Sequence, residues 1–507
     1  MKKKKAGADG TVSTSRISLK KNFIMNSLLT MSQFIFPLIT FPYVSRVLLV
    51  TGTGKVSFAT SLISYFTMFA QLGIPTYGIR ACAKVRDDRE ELTRVTQELL
   101  IINLITMVLA YVVFFLMLMF VPRLQGEKPL YIIVSVTILL NAVGMEWLYK
   151  GLEQYSYITI RSIVFKFIAL VLMLLLIHRQ SDYVLYGGLT VFASAASNLF
   201  NLFHAHRFVS LKPVGHYNFK RHMKAIGIFF AMSCATTIYT QLDTLMLGFM
   251  ATDTDVGYYN AAVRIKTILV SVVTSLGAVL LPRSSYYIEE GNFSEFRRLT
   301  AKAMNFVWVI SLPLTLYFMF FAKEGIYCLA GTKFTGSIRP MQLIMPTLVL
   351  IGLSNITGIQ ILVPTGKEIY VLYSEITGAV TDLILNAVLI PVIQSSGAAI
   401  GTLVAEFVVL MVQVFALRRE NILQFRNTPY WKMGLALAAA AASCLWTKKL
   451  HIVQNVSINC LFILLISALL FMGVYFAVLT ITGEKLTIEL EKQVLGKLRK
   501  RQPGSAK

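Results

Sequence analysis

The sequence predicts an all-α integral membrane protein of about fourteen transmembrane helices. They form two pseudo-symmetric six-helix lobes plus a C-terminal helix pair. Three observations predict this. Of 507 residues, 56% are hydrophobic and only 14% charged, against about 45–50% and about 25% in soluble domains. The apolar residues gather in runs that match the roughly 20 residues a helix needs to cross a bilayer. The runs lack period-2 alternation, which counts against a transmembrane β-barrel.

Taken in order, a basic cytoplasmic N-terminal tail, 1–21, comes first. Apolar runs at 23–49, 54–83, 94–122, 129–150, 155–177 and 183–208 then make an N-lobe, 22–222. The basic loop 209–224 leads to a C-lobe, 223–427, with runs at 224–251, 255–288, 299–322, 337–364, 369–393 and 397–417. Runs at 430–447 and 458–482 form the extra pair, in 428–482. The connections are too short to hold an inserted soluble domain. Pro37, Pro42, Pro75, Pro282, Pro313, Pro346, Pro364 and Pro391 interrupt many runs. Membrane helices tolerate proline where neighbours re-satisfy the freed backbone groups. In the tail 483–507, Leu486, Leu490, Val494 and Leu498 recur every four residues among Lys492, Lys497, Arg499, Lys500 and Arg501. That pattern reads as a basic amphipathic helix on the cytoplasmic leaflet, or as a weakly ordered basic tail.

The lobes read as a repeat. Gly54-Lys55-Val56 opens the second helix of the first block, and Gly257-Tyr258-Tyr259 opens the second helix of the second. Arg80 and Arg283 follow those glycines at equal distance. Gly151 to Tyr155 and Gly366 to Tyr370 occupy matching places between the fourth and fifth helices. An even number of helices per repeat gives both lobes one orientation, with a substrate path between them.

Net charge is +23. With both termini inside, most Lys and Arg fall in cytoplasmic segments, among them Lys84, Arg86, Arg89, Lys212, Lys220 and Arg221. This is the positive-inside bias. It assigns the charge to topology and to anionic lipid, not to nucleic acid. Lys2 to Lys5 look like a signal-peptide n-region, but the apolar run that follows is too long and lacks a cleavage site. Cys82, Cys234, Cys328, Cys444 and Cys460 are scattered and read as apolar packing residues. Gly52-Thr53-Gly54-Lys55-Val56 lacks the spacing and the Ser or Thr of a Walker A loop, so no ATPase is expected. No nucleophile–base set points to an enzyme, and no metal site or bound cofactor is expected.

Two cations, Arg264 and Lys266, lie deep in a membrane-length run. A charge there costs several kcal/mol unless it meets a polar cavity or a partner. Being two apart, they point to different helix faces. Arg264 lies ~15 Å along its helix from the loop and Asp243 ~12 Å along the preceding one. They are therefore at similar depth. Arg264 either pairs with Asp243 or faces the cavity with Asp243 holding it. Asp382 and Glu406 match in depth on adjacent antiparallel helices. Glu375 and Asn386 flank Asp382 on nearly the same face. Such a set suits a proton or sodium site; helix–helix hydrogen bonding is the competing role.

Gln241-Leu242-Asp243-Thr244-Leu245-Met246-Leu247-Gly248 with Val256-Gly257-Tyr258-Tyr259-Asn260-Ala261-Ala262 resembles the mid-chain pattern of Wzx-type oligosaccharide flippases. These belong to the multidrug/oligosaccharidyl-lipid/polysaccharide exporter superfamily. Phe41-Pro42-Tyr43-Val44-Ser45-Arg46, Tyr77-Gly78-Ile79-Arg80 and Gly397 to Thr402 look similar too. The resemblance implies alternating access and a bacterial plasma-membrane location. It implies an oligosaccharide on undecaprenyl pyrophosphate as substrate, for polysaccharide or capsule export. Coupling would be to a sodium or proton gradient or to the membrane potential. Partners would be membrane lipids and, beyond them, a polysaccharide polymerase and chain-length regulators. A pyrophosphate headgroup needs cations, and Arg264, Lys266, Arg46, Arg80 and Lys166 are the candidates. Arg46 and Arg80 sit near helix ends, where anchoring at the interface is the alternative. Arg161 and Lys166 lie on different faces of the fifth helix and suit the cavity wall. A drug/cation antiporter of the same superfamily would instead line its cavity with acids and aromatics. A non-transporting membrane partner of a polysaccharide-synthesis assembly would need no cavity charges.

Overall fold

The computed structural model describes residues 19–210, 212–419, 430–484 and 487–488. The basic N-terminal tail and the expected C-terminal amphipathic helix fall almost wholly outside them. Among the described residues the regular elements are all helices. The main ones are α1 (Leu19–Gln71), α2 (Ile74–Lys84), α3 (Arg89–Phe120), α4 (Lys128–Val143), α5 (Tyr155–Leu176), α6 (Tyr183–Val191) and α7 (Asn198–Ala205) in the first half. The second half has α8 (Lys220–Met250), α9 (Asp253–Glu289), α10 (Phe293–Phe320), α11 (Ala322–Leu329), α12 (Thr347–Ser354), α13 (Glu368–Arg419), α14 (Tyr430–Cys444) and α15 (Val456–Ile481).

By length and apolarity, 10 helices among the described residues can cross a membrane, or 11 when the bent pair Thr332–Ile344 and Thr347–Leu362 is one span. That is fewer than the fourteen expected, for identifiable reasons. The expected runs 23–49 and 54–83 share the rod α1, which breaks only at Leu49 (φ 57°). The chain doubles back there, because Asn22 and Arg86 both bind Glu153. The runs 369–393 and 397–417 likewise share α13, broken at Ile393–Gln394 just after Pro391. Its limbs are antiparallel: Gln413 donates to Ser374 at 3.0 Å, and Gly401 lies against Asp382 and Asn386. α14 has only 15 residues. The run 54–83 also ends early, at Gly73 (φ 72°), where a Cβ would lie 2.4 Å from the backbone of Phe229.

The halves meet by a reciprocal contact near Leu49. The hydroxyls of Thr51 and Thr254, 203 residues apart, are 3.0 Å from each other. Val50 and Asp253 have that same spacing, as do Gly54 and Gly257. A Cβ at Gly54 would lie 1.7 Å from the Asp253 carbonyl oxygen, and one at Gly257 2.3 Å from that of Val50. The two glycines matched in the sequence repeat are therefore the points where the backbones cross. Arg123 reinforces this end, donating to Gly248 O at 2.8 Å and pairing with Asp253 at 2.5 Å.

At the other end, rich in Lys and Arg, the buried Glu98 carboxylate accepts from Asn218 N–H (2.6 Å), Arg221 (2.6 Å) and His222 (2.7 Å). The start of α8 is thereby tied to α3. The pair α14–α15 packs on α10, where Tyr317 donates to Leu464 O at 2.8 Å.

Candidate functional site

Between the halves lies a cavity of about 470 Å³, lined by both limbs of α1, by α5, α6, α8 and α9. The lining follows from local spacing. Ser162 and Lys166, and Asn260 and Arg264, are i,i+4 pairs, so each places a polar stripe on an apolar helix. Many lining hydroxyls donate to their own backbone: Thr40 to Phe36 O (3.0 Å), Thr60 to Val56 O (2.8 Å), Thr190 to Gly187 O (2.7 Å). Their oxygens then face the cavity as acceptors, which suits donors such as sugar hydroxyls.

Three cations reach this cavity: Arg161, Lys166 and Arg264. Glu146 is the carboxylate among its lining residues. Lys166 donates to Ser32 Oγ at 2.8 Å. Arg161 is held by Asn201 and by Asn198 (3.3 Å), while its buried Nε has no partner. The guanidinium of Arg264 lies 4.3 Å from the ring centre of Phe41. Among the described residues Arg264 has no carboxylate within ion-pair distance. Asp243 is bound elsewhere, by Asn386 (2.6 Å), Thr402 (2.8 Å) and Tyr259. Arg264 therefore faces the cavity, but Asp243 neither pairs with it nor holds it there.

Arg264 also lines a second space of about 450 Å³, between the first limb of α1 and α9. Phe34, Pro37, Leu38, Phe41, Val263 and Ile268 make it largely apolar. Arg264 thus stands where a polar chamber meets a largely apolar gap between helices.

Lys266 points away from Arg264, into a third cavity of about 350 Å³ with Asp243, Asp382 and Glu406. Asn386 is fully buried and binds Asp243 here. Glu375 lines a neighbouring cavity of about 260 Å³. Arg46 is absent from the cavity linings described above. It donates to Cys328 O (2.7 Å) and Leu329 O (3.4 Å), capping the C-terminus of α11. Arg80 is exposed on α2 and also stands apart from these linings. Tyr239, Tyr259 and Thr402 were not singled out from the sequence. Two of them carried a signal: Tyr239 and Asp243, and Thr402 and Glu406, are polar i,i+4 pairs on apolar helices.

Residues 19–288, more than half the chain, match the family profile described as polysaccharide biosynthesis protein. The chain belongs to that family. A second profile, MatE, matches residues 229–388. A putative O-antigen transporter of Escherichia coli (strain K12) is 22% identical over 414 residues, 81% of this chain and 100% of the relative. The putative O-antigen transporter of Shigella dysenteriae is 22% identical over 404 residues, 79% and 100% of the two chains. Among solved structures, the lipid II flippase MurJ in an inward closed conformation superposes with a TM-score of 0.69 at 15% identity. It covers 91% of this chain and 99% of that one. This last likeness establishes the fold. The resemblance to Wzx-type flippases of the exporter superfamily, drawn above from the sequence, holds.

Proposed function

We propose that this family member is a flippase that moves a lipid-linked oligosaccharide across the membrane by alternating access. The observation that carries the reading is the position of Arg264, at the junction of the polar chamber and the apolar gap between helices. A lipid-linked sugar needs cations at its phosphates, polar groups at its sugars and a lateral slot for its tail. Arg264, Lys166 and Arg161 would meet a diphosphate, the hydroxyl-lined wall would meet the sugars, and the gap beside Phe41 would pass the tail. The carrier lipid would be undecaprenyl pyrophosphate and the product would serve polysaccharide or capsule export. The names of the O-antigen transporter relatives support that class of substrate. Polymerase and chain-length regulators are the partners such a pathway would supply.

The charge bias supports a cytoplasmic location for the basic end and for both termini. The opposite end, closed by Thr51–Thr254, Arg123–Asp253 and Arg46–Cys328 O, would then face outward. Flipping would require these contacts to part.

A coupling cation fits the Asp243 cluster. Asp382 Oδ1 and Asn386 Oδ1 are buried without a hydrogen-bond partner. Both face the bare Cα of Gly401, where a Cβ would lie 3.1 Å and 2.4 Å from them. Two carboxylates, an amide and the Thr402 hydroxyl make an all-oxygen set, which suits a hard cation such as sodium. An antiporter that exports cationic drugs would place its acids in the main chamber, where three of the four charged residues here are cations.

Deleting the gene tests the function. Loss of the protein should cause one lipid-linked oligosaccharide to accumulate in the inner leaflet. An unchanged lipid-linked pool and an unchanged envelope polysaccharide would refute it.

A further inference from the structure

We infer that the cation held at Asp243 and Asp382 exchanges with the basic end of the protein through a second chamber, closed by the hydrogen bond between Tyr239 and Glu406. This rests on the cation site proposed above.

Tyr239 lines both the 350 Å³ cavity of the Asp243 cluster and the adjoining 260 Å³ cavity. Its hydroxyl donates to Glu406 Oε1 across the junction. Glu406 is 2% exposed, and its Oε2 has no partner although it lies in the wall of the cation cavity. The carboxylate is therefore half-engaged: one oxygen is held by Tyr239, and the other is free to receive a cation. Burying a polar atom without a partner costs about 1–3 kcal/mol, so such an oxygen calls for a ligand.

The second chamber continues the oxygen series. Glu375 lines it, with Asn355 and Gln413, and Asn355 Oδ1 is again buried without a partner. Glu375 precedes Asp382 by seven residues on one limb of α13, so it lies ~10 Å nearer the basic end at 1.5 Å per residue. Ions cross low-dielectric regions by stepping between oxygen sites that replace their water. Asp382 and Glu406, level with each other on the two limbs of α13, and Glu375 nearer the basic end supply such steps. Turning the Tyr239 hydroxyl away would free both Glu406 oxygens and join the chambers. Tyr239 thus acts as a gate, and Glu406 as the step it guards.

Purified full-length protein in liposomes tests this by exchange of radioactive sodium, with sodium-dependent thermal stabilisation as the measure of equilibrium binding. Tyr239→Phe should speed exchange about tenfold, the loss of one hydrogen bond to a charged group. Its sodium affinity should stay within about threefold, since the Asp243 cluster is intact. Glu406→Gln should slow exchange. The same two variants, followed by proton release in sodium-free buffer, give the same pattern if the proton is the ion. Unchanged rates for both ions in both variants would overturn the gate. So would a loss of affinity in Glu406→Gln as large as in Asp382→Asn, since Glu406 would then be a direct ligand. Retained sodium and proton binding in Asp382→Asn would instead overturn the cation site itself.

Discussion

The closed end should open when a single methyl group is added at Gly54. A Cβ there would sit 1.7 Å from the Asp253 carbonyl oxygen. Contact needs roughly 3.3 Å, so α9 must retreat by about 1.5 Å in Gly54→Ala. That displacement breaks the Thr51–Thr254 hydrogen bond, now 3.0 Å, and parts the Arg123–Asp253 pair, now 2.5 Å. One neutral hydrogen bond is worth about 1 kcal/mol. A partly shielded ion pair is worth up to about 1 kcal/mol. Losing both shifts the closed-to-open balance by about 2 kcal/mol, or about thirtyfold. A cysteine at Ser57, one turn below Gly54 in the wall of the central cavity, reports this shift. In a background lacking the five native cysteines, an impermeant thiol reagent added from outside should label Ser57→Cys about thirtyfold faster with Gly54→Ala. Gly434→Ala, with nothing within 4 Å of the new Cβ, is the control and should change nothing. Equal labelling rates in the Gly54 and Gly434 variants, at equal protein levels, would refute the reciprocal contact as the seal.

Gly401→Ala should abolish sodium-dependent stabilisation, because its Cβ would fall 2.4 Å from Asn386 Oδ1; an unchanged sodium titration contradicts the cation site. Arg264→Ala and Asp243→Ala should add in a double variant within about 0.5 kcal/mol, since the two side chains have different partners. Rescue of transport by the double variant would show a hidden ion pair. Introduced cysteines in loops 86–92 and 212–220 should resist an impermeant thiol reagent in intact cells while positions 252–255 label. The reverse pattern would invert the proposed topology.

The fold class was legible because membrane helices must satisfy their backbone internally and show as long apolar runs. The breaks were not. Leu49 and Gln394 adopt left-handed backbone angles without a glycine, so nothing in their identity marks the doubling-back of α1 and α13. The repeat was visible in Gly54 and Gly257, but their meeting at one crossing is a tertiary fact. At the site, the depth of Arg264, Asp382 and Glu406 followed from counting residues along helices. Their partners did not, because helix counting gives depth and not azimuth between helices. Asp243 therefore stood as a partner for Arg264, whereas α13 presents Asn386 and Thr402 to it. Arg46 shows the same limit: its position near a helix end was readable, but not the carbonyls of α11 that hold it.

The central claim is that the cations of the main chamber hold the phosphates of a lipid-linked sugar. Flipping of a fluorescent undecaprenyl-pyrophosphate oligosaccharide by purified protein in liposomes tests it most directly. A charge-assisted contact is worth about 1.5–3 kcal/mol, so Arg264→Ala should slow flipping about ten- to hundredfold while the protein keeps its thermal stability. Arg264→Lys should retain part of the rate, since charge without the planar fork still attracts a diphosphate. Full-rate flipping by Arg264→Ala and by Lys166→Ala would contradict the account.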